Sequence, residues 1–254
     1  MKFLCIIPAR YASTRFPGKP LALLNGKTIL QRVWERVSPY FEETIVATDD
    51  ERIARAVADW GGKFAMTSTN HRSGTDRCGE VLAKMPQNLR PDVVVNVQGD
   101  EPFVHPNQLK ALRSAFDNPQ TQIATLATPI SDPSVLHNPN SPKIAVSEQG
   151  FALYFSRSVI PYIRGKAQWL GQFPFLKHIG LYAYTADTLE QIVQLPPSPL
   201  EIAESLEQLR WLEHGFRIRV KVTPHETIGI DTPEDLQCAQ EFLMQLEKTQ
   251  KENS

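Results

Sequence analysis

Three cations stand close together near the start of the chain. Arg10, Arg15 and Lys19 lie within the segment 8–20, directly after the first apolar run. Like charges folded into one turn repel each other unless an anion neutralises them, so a nucleoside triphosphate is a fitting ligand. A solvated loop that is basic by chance is the alternative. The segment is not a Walker A motif, because Pro20 follows Lys19 where Ser or Thr is required.

Two carboxylates are candidate metal ligands. Asp100 stands in the polar turn that follows the run Val93–Val97, and Asp231 precedes a helix start in which Thr232 is the expected N-cap and Asp235 its capping partner. Because Thr232 and Asp235 fill the capping roles, Asp231 has no predicted structural role. Magnesium needs only one or two carboxylates when phosphate oxygens complete its shell. Either aspartate alone could equally shape a turn, and the sequence does not give the distance between them.

Alternating strands and helices must position these residues. The apolar patterns predict strands at Phe3–Ile7, Thr44–Thr48 and Val93–Val97, and helices at Ile29–Val37, at Ile53–Trp60 and after Thr75. This alternation is typical of a parallel sheet covered by helices. Ligands of such sheets collect beyond the carboxyl ends of the strands, where the basic segment and Asp100 are expected.

The pattern changes in the second half of the chain. Pro and Asn clusters separate short strands between about 121 and 184, which indicates an antiparallel lobe or insertion. A helix at Leu200–Trp211, a strand at Ile218–Val222 and a last helix from near Thr232 follow. We therefore predict one α/β domain over residues 1–246 that contains this lobe, and a polar, disordered tail over 247–254.

Composition limits the classes of partner. Among 254 residues, 27 Lys and Arg nearly balance 28 Asp and Glu, so neither nucleic acid nor a membrane is an expected partner. The first apolar run is too short for a signal peptide or a membrane span. The three cysteines form no paired motif, and we expect passive thiols in a reducing cytoplasm.

Six motifs, in this order, carry a resemblance to a known family. They are I-P-A-R-Y-A-S-T-R-F-P-G-K-P, H-R-S-G-T-D-R, V-N-V-Q-G-D-E-P, A-L-Y-F-S-R, K-H-I-G-L-Y-A-Y and G-I-D-T-P-E-D-L. Together they resemble the 3-deoxy-manno-octulosonate (Kdo) cytidylyltransferases, over roughly residues 2 to 242. The first and third motifs together are highly specific, whereas one alone indicates only a nucleotidyltransferase.

The resemblance implies a fold and a reaction. The fold is that of nucleotide-diphospho-sugar transferases: a Rossmann-like mixed sheet with helices on both faces and a smaller antiparallel lobe. The reaction joins CTP and Kdo to give CMP-Kdo and pyrophosphate, which activates Kdo for lipopolysaccharide-type glycans. The resemblance further implies a homodimer and Mg²⁺ as cofactor.

The resemblance also implies roles for individual residues, motif by motif. The CTP-binding positions are Arg10, Arg15, Lys19, Ser73, Gly74, Thr75, Asp76, Arg77 and Gln98, and the metal ligands are Asp100 and Asp231. Arg10, Lys19, Asp100 and Asp231 are the expected catalytic residues. The sugar-binding positions are Arg157, His178, Tyr184, Glu207 and Gln208.

Several alternatives stay open. A core histidine at His178, a packing ring at Tyr184 and a solvated helix face at Glu207 are the structural interpretations of the sugar-binding set. Other cytidylyltransferases use sialic acid or a polyol phosphate, and the loop from Arg10 to Lys19 speaks against both. A catalytically silent nucleotide-sugar binding module would lose the metal carboxylates, which this chain keeps. The sequence does not distinguish Kdo from a close analogue such as the 8-amino sugar.

Overall fold

A computed structural model describes residues 1–13, 15–165, 168–226 and 228–252, with the backbone alone from 246 onward. The strands are β1 (Phe3–Ala9), β2 (Leu23–Leu24), β3 (Lys27–Thr28), β4 (Glu43–Thr48), β5 (Lys63–Met66), β6 (Val93–Asn96), β7 (Ile123–Pro129), β8 (Lys143–Val146), β9 (Ala152–Ser156), β10 (Leu176–Thr185) and β11 (Ile218–Val222). The α-helices are α1 (Ile29–Val37), α2 (Glu51–Asp59), α3 (Gly74–Lys84), α4 (Pro106–Ser114), α5 (Pro133–His137), α6 (Ala186–Ile192), α7 (Pro199–Glu204), α8 (Gln208–Glu213) and α9 (Pro233–Glu252). The chain divides into two compact units.

The first unit contains residues 1–91, 96–106 and 227–254. Its strands pair in parallel in the order β1-β4-β5. Ala9 lies opposite Thr48, and Thr48 lies opposite Met66, so the three strands end at one edge. The strands predicted at Phe3–Ile7 and Thr44–Thr48 are confirmed here as a parallel pair, and the predicted helices that follow each of them are confirmed as α1 and α2.

Helix α1 illustrates why the alternating pattern folds in this way. The Thr28 side chain accepts a hydrogen bond from the Gln31 backbone N–H and caps the helix. Ile29, Leu30 and Val33 are buried on one face. Burying each such side chain is worth about 1.5–3 kcal/mol, which holds the helix against the unit.

A short hairpin that we did not predict joins β2 to β3. Asn25 and Gly26 both have positive φ, at 49° and 79°, as a two-residue hairpin turn requires. Leu24, at the end of β2, is buried in a cluster with Ile230 and Ala239 from the carboxyl-terminal part of the chain. This cluster anchors the start of α9 within the first unit.

The second unit contains residues 92–95 and 107–226. Its sheet has the order β11-β7-β10-β6, in which β7 pairs antiparallel with β10 and parallel with β11. Strand β8 pairs antiparallel with both β9 and β10. The sheet is therefore mixed, and the predicted α/β class is confirmed. The antiparallel strands expected between 121 and 184 lie here, although the unit extends beyond those limits.

Two helical segments differ from our expectation. The helix predicted at Leu200–Trp211 is divided into α7 and α8, because Ser205 adopts the left-handed conformation, with φ of 51°. Helix α9 continues to Glu252, through most of the predicted tail, and its last residues are largely Glu, Lys and Gln, which are strong helix formers. Asn253 and Ser254 lie outside the described residues.

The three cysteines are free thiols. Cys5 and Cys78 are buried, whereas Cys238 is exposed on α9. Burial raises the pKa of the Cys5 thiol and keeps it protonated. Over the part of the chain that the structure describes, no helix combines the length and the apolar character needed to span a bilayer.

Candidate active site

The basic segment after β1 folds back on itself. Gly18 has a φ of 72°, and its backbone N–H donates to the Tyr11 carbonyl at 3.0 Å. A Cβ at Gly18 would lie 3.0 Å from the Tyr11 hydroxyl, so both the conformation and the space favour glycine. The Arg52 guanidinium stacks 3.3 Å from the centroid of the Tyr11 ring. Thr14, within the same motif, lies outside the described residues.

The segment ends in a 3₁₀ turn that carries Lys19 into a cluster of carboxylates. The Lys19 ammonium lies 2.6 Å from Asp100 Oδ2 and 3.0 Å from Asp231 Oδ1. Arg15 Nη1 lies 3.1 Å from Asp231 Oδ2. The two candidate metal ligands, separated by about half of the chain, thus converge on one cation.

Asp100 owes its place to a tight turn after β6. The Val97 N–H donates to the Ile6 carbonyl at 3.1 Å, and the following turn carries Gly99 against β1. A Cβ at Gly99 would lie 2.8 Å from the Pro8 carbonyl oxygen, so only glycine fits without displacement. This close approach brings Asp100 to the carboxyl end of β1, as we expected.

Asp231 is positioned by the cap of α9. Thr232 Oγ1 accepts from the Asp235 N–H at 3.2 Å, and Asp235 Oδ2 accepts from the backbone N–H groups of Thr232 and Asp231, both at 2.9 Å. Although burial opposes ionisation, these hydrogen bonds lower the pKa of Asp235 below its usual range. The predicted capping box is confirmed and leaves the Asp231 carboxylate available. The Ile230 N–H donates to the Asp100 carbonyl at 2.9 Å and ties the two carboxylate segments together.

A polar cavity of about 260 Å³ opens beside this cluster, within the first unit. Nine predicted site residues line it: Arg10, Arg15, Lys19, Ser73, Gly74, Arg77, Gln98, Asp100 and Asp231. Ser13, His71 and Arg72 line it as well, and we had not assigned them. Arg10 and Arg72 form no ion pair with any of the described residues and are exposed, so both are available to an anionic ligand.

The amino terminus of α3 forms one wall of the cavity. Ser73 Oγ accepts from the Asp76 N–H at 3.1 Å, and the Asp76 carboxylate accepts from the N–H groups of Ser73 and Arg72. Asp76 therefore serves as a capping residue, and Thr75 is buried; neither lines the cavity, unlike the predicted Ser73 and Gly74. Thr75 and Asp76 therefore stay predicted CTP-binding positions that the cavity lining does not include.

Arg77 lies at the cavity wall but is committed to the protein. Its guanidinium donates to Thr67 Oγ1 at 2.8 Å, to the Ser68 carbonyl and to Asp49 Oδ2 at 2.6 Å. Its side chain is 4% exposed. Such an arginine orders the loop that follows β5 rather than contributing a mobile charge.

His71 belongs to a group of polar and charged side chains that we did not predict from the sequence. Its Nε2 contacts Glu80 Oε2, which also accepts from the Ser68 N–H, while Lys84 lies 2.6 Å from Glu80 Oε1. Burial alone would raise the pKa of Glu80, but these partners outweigh it and lower the pKa to about 2. The spacing of Glu80 and Lys84, four residues apart on a helix, was the available signal.

The predicted sugar-binding residues belong to the second unit. His178, on β10, is partly buried, with Nε2 at 3.0 Å from Thr125 Oγ1 and its ring edge-on to Phe155. Burial lowers the pKa of His178 to about 3. Tyr184 is fully buried and packs edge-on against Trp211, as core rings do. This placement agrees with the packing interpretation of Tyr184.

Two of the remaining predicted sugar contacts, Arg157 and Glu207, also have protein partners. The Arg157 guanidinium donates to the carbonyls of Glu204 at 2.6 Å, Pro139 at 2.9 Å and Ser205 at 3.2 Å. Glu207 pairs with Arg210 at 2.9 Å, and Gln208 is buried. Arg157 and Glu207 are thus held by structural contacts, whereas Gln208 Nε2 is buried and has no hydrogen-bond partner among the described residues.

The carboxylate pair suits a hard divalent cation. Asp100 and Asp231 offer oxygen ligands, and an ammonium group already lies between them, so the chain itself places a positive charge there. Within the described ranges no group of three or more His, Cys, Asp or Glu residues is arranged for a metal. Two carboxylates are nevertheless enough for magnesium when a nucleotide supplies phosphate oxygens.

Comparison with known proteins adds independent findings. The chain matches the profile of the cytidylyltransferase family over residues 4–222. It is 58% identical over 249 residues to the 3-deoxy-manno-octulosonate cytidylyltransferase of Parabacteroides distasonis, covering 96% of this chain and 98% of that one. The enzyme of the same name from Bacteroides thetaiotaomicron is 57% identical over 248 residues, with the same coverage.

Solved structures give the same picture. A CMP:2-keto-3-deoxy-manno-octonic acid synthetase complexed with CTP superposes with a TM-score of 0.89 at 42% identity, covering 96% of this chain and 99% of that chain. A 4-diphosphocytidyl-2C-methyl-D-erythritol synthase from Anaerococcus prevotii superposes with a TM-score of 0.61 at 14% identity, over the same coverage. The second likeness concerns the fold alone.

Proposed function

This chain belongs to the cytidylyltransferase family, within which its relatives are 3-deoxy-manno-octulosonate cytidylyltransferases, and from that premise we propose that it couples CTP to Kdo. The products are CMP-Kdo and pyrophosphate, and the product sugar is activated for lipopolysaccharide-type glycans. The observation that carries the proposal is the convergence of Lys19, Asp100 and Asp231 at a cavity with further cations. Such a site is suited to a nucleoside triphosphate that is attacked at its α-phosphorus.

The cations of the first unit bind the triphosphate. Arg10 and Arg72 are exposed at the cavity, and Arg15 is 65% exposed on its side chain, so each can turn toward a phosphate. Arginine guanidinium groups bind phosphate oxygens through paired hydrogen bonds. Their charge neutralises the negative charge that builds on pyrophosphate as it leaves.

Mg²⁺ is the proposed cofactor, held by Asp100 and Asp231. When bound, magnesium polarises phosphate oxygens and lowers the pKa of an oxygen that it coordinates. The two carboxylates would hold the cation at the site. The Asp100 carbonyl accepts a hydrogen bond from the Ile230 N–H, which keeps the two carboxylate segments adjacent.

The reaction is an in-line displacement at the α-phosphorus. The anomeric hydroxyl of Kdo attacks, and pyrophosphate leaves from the opposite side. The protein contributes mainly by positioning and by neutralising charge, since both substrates are anions. Arg10, Arg15 and Lys19 are the residues that act on the leaving group.

Kdo is the proposed sugar, and recognition by the second unit is assigned to Arg157, His178, Glu207 and Gln208, with Tyr184 as a supporting ring. The structural contacts of Arg157 and Glu207 support a role in shaping the sugar pocket rather than contributing free charges. A sugar that differs only at its far end, such as the 8-amino analogue, shares the reacting atoms and stays an alternative.

We further propose that the protein acts as a homodimer in the cytoplasm. The dimer follows from the resemblance to the family, whereas the cytoplasmic location follows from Cys5, Cys78 and Cys238, which are free thiols, as in a reducing compartment. Sedimentation at several protein concentrations tests the dimer: a monomer at micromolar concentration would refute it.

The deciding experiment is an assay of pyrophosphate release. The purified protein is incubated with CTP, Kdo and Mg²⁺, and the assay is repeated with UTP, with sialic acid, with 8-amino-Kdo and with EDTA. We expect release only when CTP, Kdo and metal are present together. Turnover with sialic acid but not with Kdo would overturn the substrate and leave the triphosphate site in place.

A further inference from the structure

Lys19 lies where the carboxylate pair would otherwise hold a metal. Its ammonium contacts Asp100 at 2.6 Å and Asp231 at 3.0 Å, and its side chain is only 11% exposed. The two carboxylate side chains are more open, at 32% and 47% exposed. Lys19 is therefore the least accessible member of the cluster.

The cluster is electrically balanced without a metal. Asp100 and Asp231 carry two negative charges, and Lys19 and Arg15 supply two positive charges in direct contact with them. A divalent cation that approaches alone meets a neutral group of charges and must displace an ammonium from a largely desolvated position. Close charges interact strongly there because solvent screening is weak.

A triphosphate changes this balance. Lysine is a compact charge on a flexible stem, so its ammonium can move from a carboxylate to a nearby phosphate oxygen. Arg15 can move in the same way because it is largely exposed. Once both cations have moved away, the charge of the two carboxylates is no longer neutralised. At the same time the phosphate oxygens become available as additional metal ligands.

We propose that Lys19 is a positioning residue that holds Asp100 and Asp231 together and excludes the metal until the nucleotide draws its ammonium away. This rests on the proposed function, in which the same residues bind CTP and Mg²⁺. Metal and nucleotide consequently bind cooperatively: each raises the affinity of the protein for the other by the same factor. Free metal binds the carboxylates of the nucleotide-free protein only weakly.

The test measures metal binding without nucleotide. Mn²⁺, followed by electron paramagnetic resonance, is titrated into the wild-type protein and into Lys19→Met, which removes the charge but keeps an apolar stem. We expect Lys19→Met to bind Mn²⁺ about tenfold more tightly or better, since a like charge no longer stands at the site. Lys19→Arg, which restores a cation, is expected to return to the weak binding of the wild type.

Two further variants act as controls. Lys27→Met removes an exposed lysine that pairs with Glu35, outside the cavity, and should leave Mn²⁺ binding unchanged. The double variant Lys19→Met with Asp100→Asn should lose the gained affinity, which locates the gain at the carboxylate pair. Equal or weaker Mn²⁺ binding by Lys19→Met, relative to the wild type, overturns the proposal.

A measurement on the wild-type protein tests the proposal without requiring that Lys19→Met folds. If Mn²⁺ displaces the ammonium, saturating metal should increase reductive methylation of Lys19 several-fold, as read by mass spectrometry of the digest. Saturable Mn²⁺ binding at the carboxylates with unchanged methylation of Lys19 contradicts the proposal. The pyrophosphate assay separates the two ideas: no turnover with CTP and Kdo refutes the function, whereas turnover without these Mn²⁺ effects refutes only the role of Lys19.

Discussion

Asp100 can be tested by removing its charge while keeping its shape. Asp100→Asn should lower pyrophosphate release by about 100-fold or more, because a metal ligand contributes several kcal/mol to transition-state stabilisation. Stability should change by about 1 kcal/mol or less, since Lys19 keeps its pair with Asp231 and Asp100 is partly exposed. Asp59→Asn, at an exposed position of α2, serves as the matched control. Near-normal turnover by Asp100→Asn would remove this residue from the site.

His178 should stay neutral well below the pH at which an ordinary histidine is protonated. Its folded pKa of about 3 lies below the value of about 6.5 expected for an unfolded chain. The unfolded state therefore binds the proton first, so this contribution to stability is complete above pH 6.5 and is lost as the pH falls toward 3. The ¹⁵N shifts of the ring should report a neutral imidazole at pH 5. A titration midpoint near 6.5 would contradict the buried environment of His178.

Some of these single-residue roles could be predicted from the sequence and others could not. The cap formed by Thr232 and Asp235 is a local pattern, and the structure confirms it. The fully buried position of Tyr184 depends on Trp211, whose approach is a matter of tertiary packing. The backbone carbonyls that bind Arg157 belong to Pro139 and to Glu204 at the end of α7, and the motif around Arg157 does not predict their approach.

Among the elements, α3 and α7 offer a matched pair of capped helices. Ser73 and Ser198 each form a capping box with the residue three positions later. Ser73→Ala and Ser198→Ala should each lower the free energy of unfolding by about 1 kcal/mol. Only Ser73 lines the cavity, so only Ser73→Ala should also weaken CTP binding by calorimetry. Equal CTP affinities for the two variants would show that Ser73 is a cap alone.

The β2–β3 hairpin makes a second prediction about an element. Gly26 has a φ of 79° with open space around it, so Gly26→Ala should cost about 1 kcal/mol through backbone strain alone. Gly180→Ala is the control, because Gly180 also has open space but no positive φ. Chemical denaturation of both variants provides the measurement. A similar cost for both would show that strain at Gly26 is not the cause.

This hairpin was within reach of sequence reasoning, since Asn-Gly between short apolar runs is a strong turn signal. The break between α7 and α8 was not. Ser205 has no intrinsic preference for its left-handed conformation, and the apolar spacing on either side of it fits one continuous helix. The division is therefore set by packing in the second unit.

Over the whole molecule, positive and negative charges nearly balance, so we expect the local cations at the cavity to attract a nucleotide more than the net charge does. The net charge is −1, so long-range attraction of CTP by the chain as a whole is negligible. Raising NaCl from low to about 0.5 M should weaken CTP binding several-fold, since exposed cations at the cavity are screened. Calorimetry at two salt concentrations measures the effect. Binding that is independent of salt would argue against Arg10 and Arg72 as phosphate ligands.

The alternation of elements predicted the α/β class of the whole chain, because it depends on local periodicity. The convergence of Asp100 and Asp231 could not be predicted in this way. It depends on the close approach of Gly99 to Pro8 and on the hydrogen bond from the Ile230 N–H to the Asp100 carbonyl. Both contacts join distant parts of the chain. Motif order could indicate that both aspartates belong to one site, but not that a lysine holds them together.

The distribution of thiols makes the protein ready for site-directed labelling without any substitution. Cys5 and Cys78 are buried, while Cys238 is exposed on α9, the helix whose capped start presents Asp231. A maleimide dye should therefore attach at a single position. Its fluorescence would follow events at the carboxylate cluster in the natural sequence, and in real time.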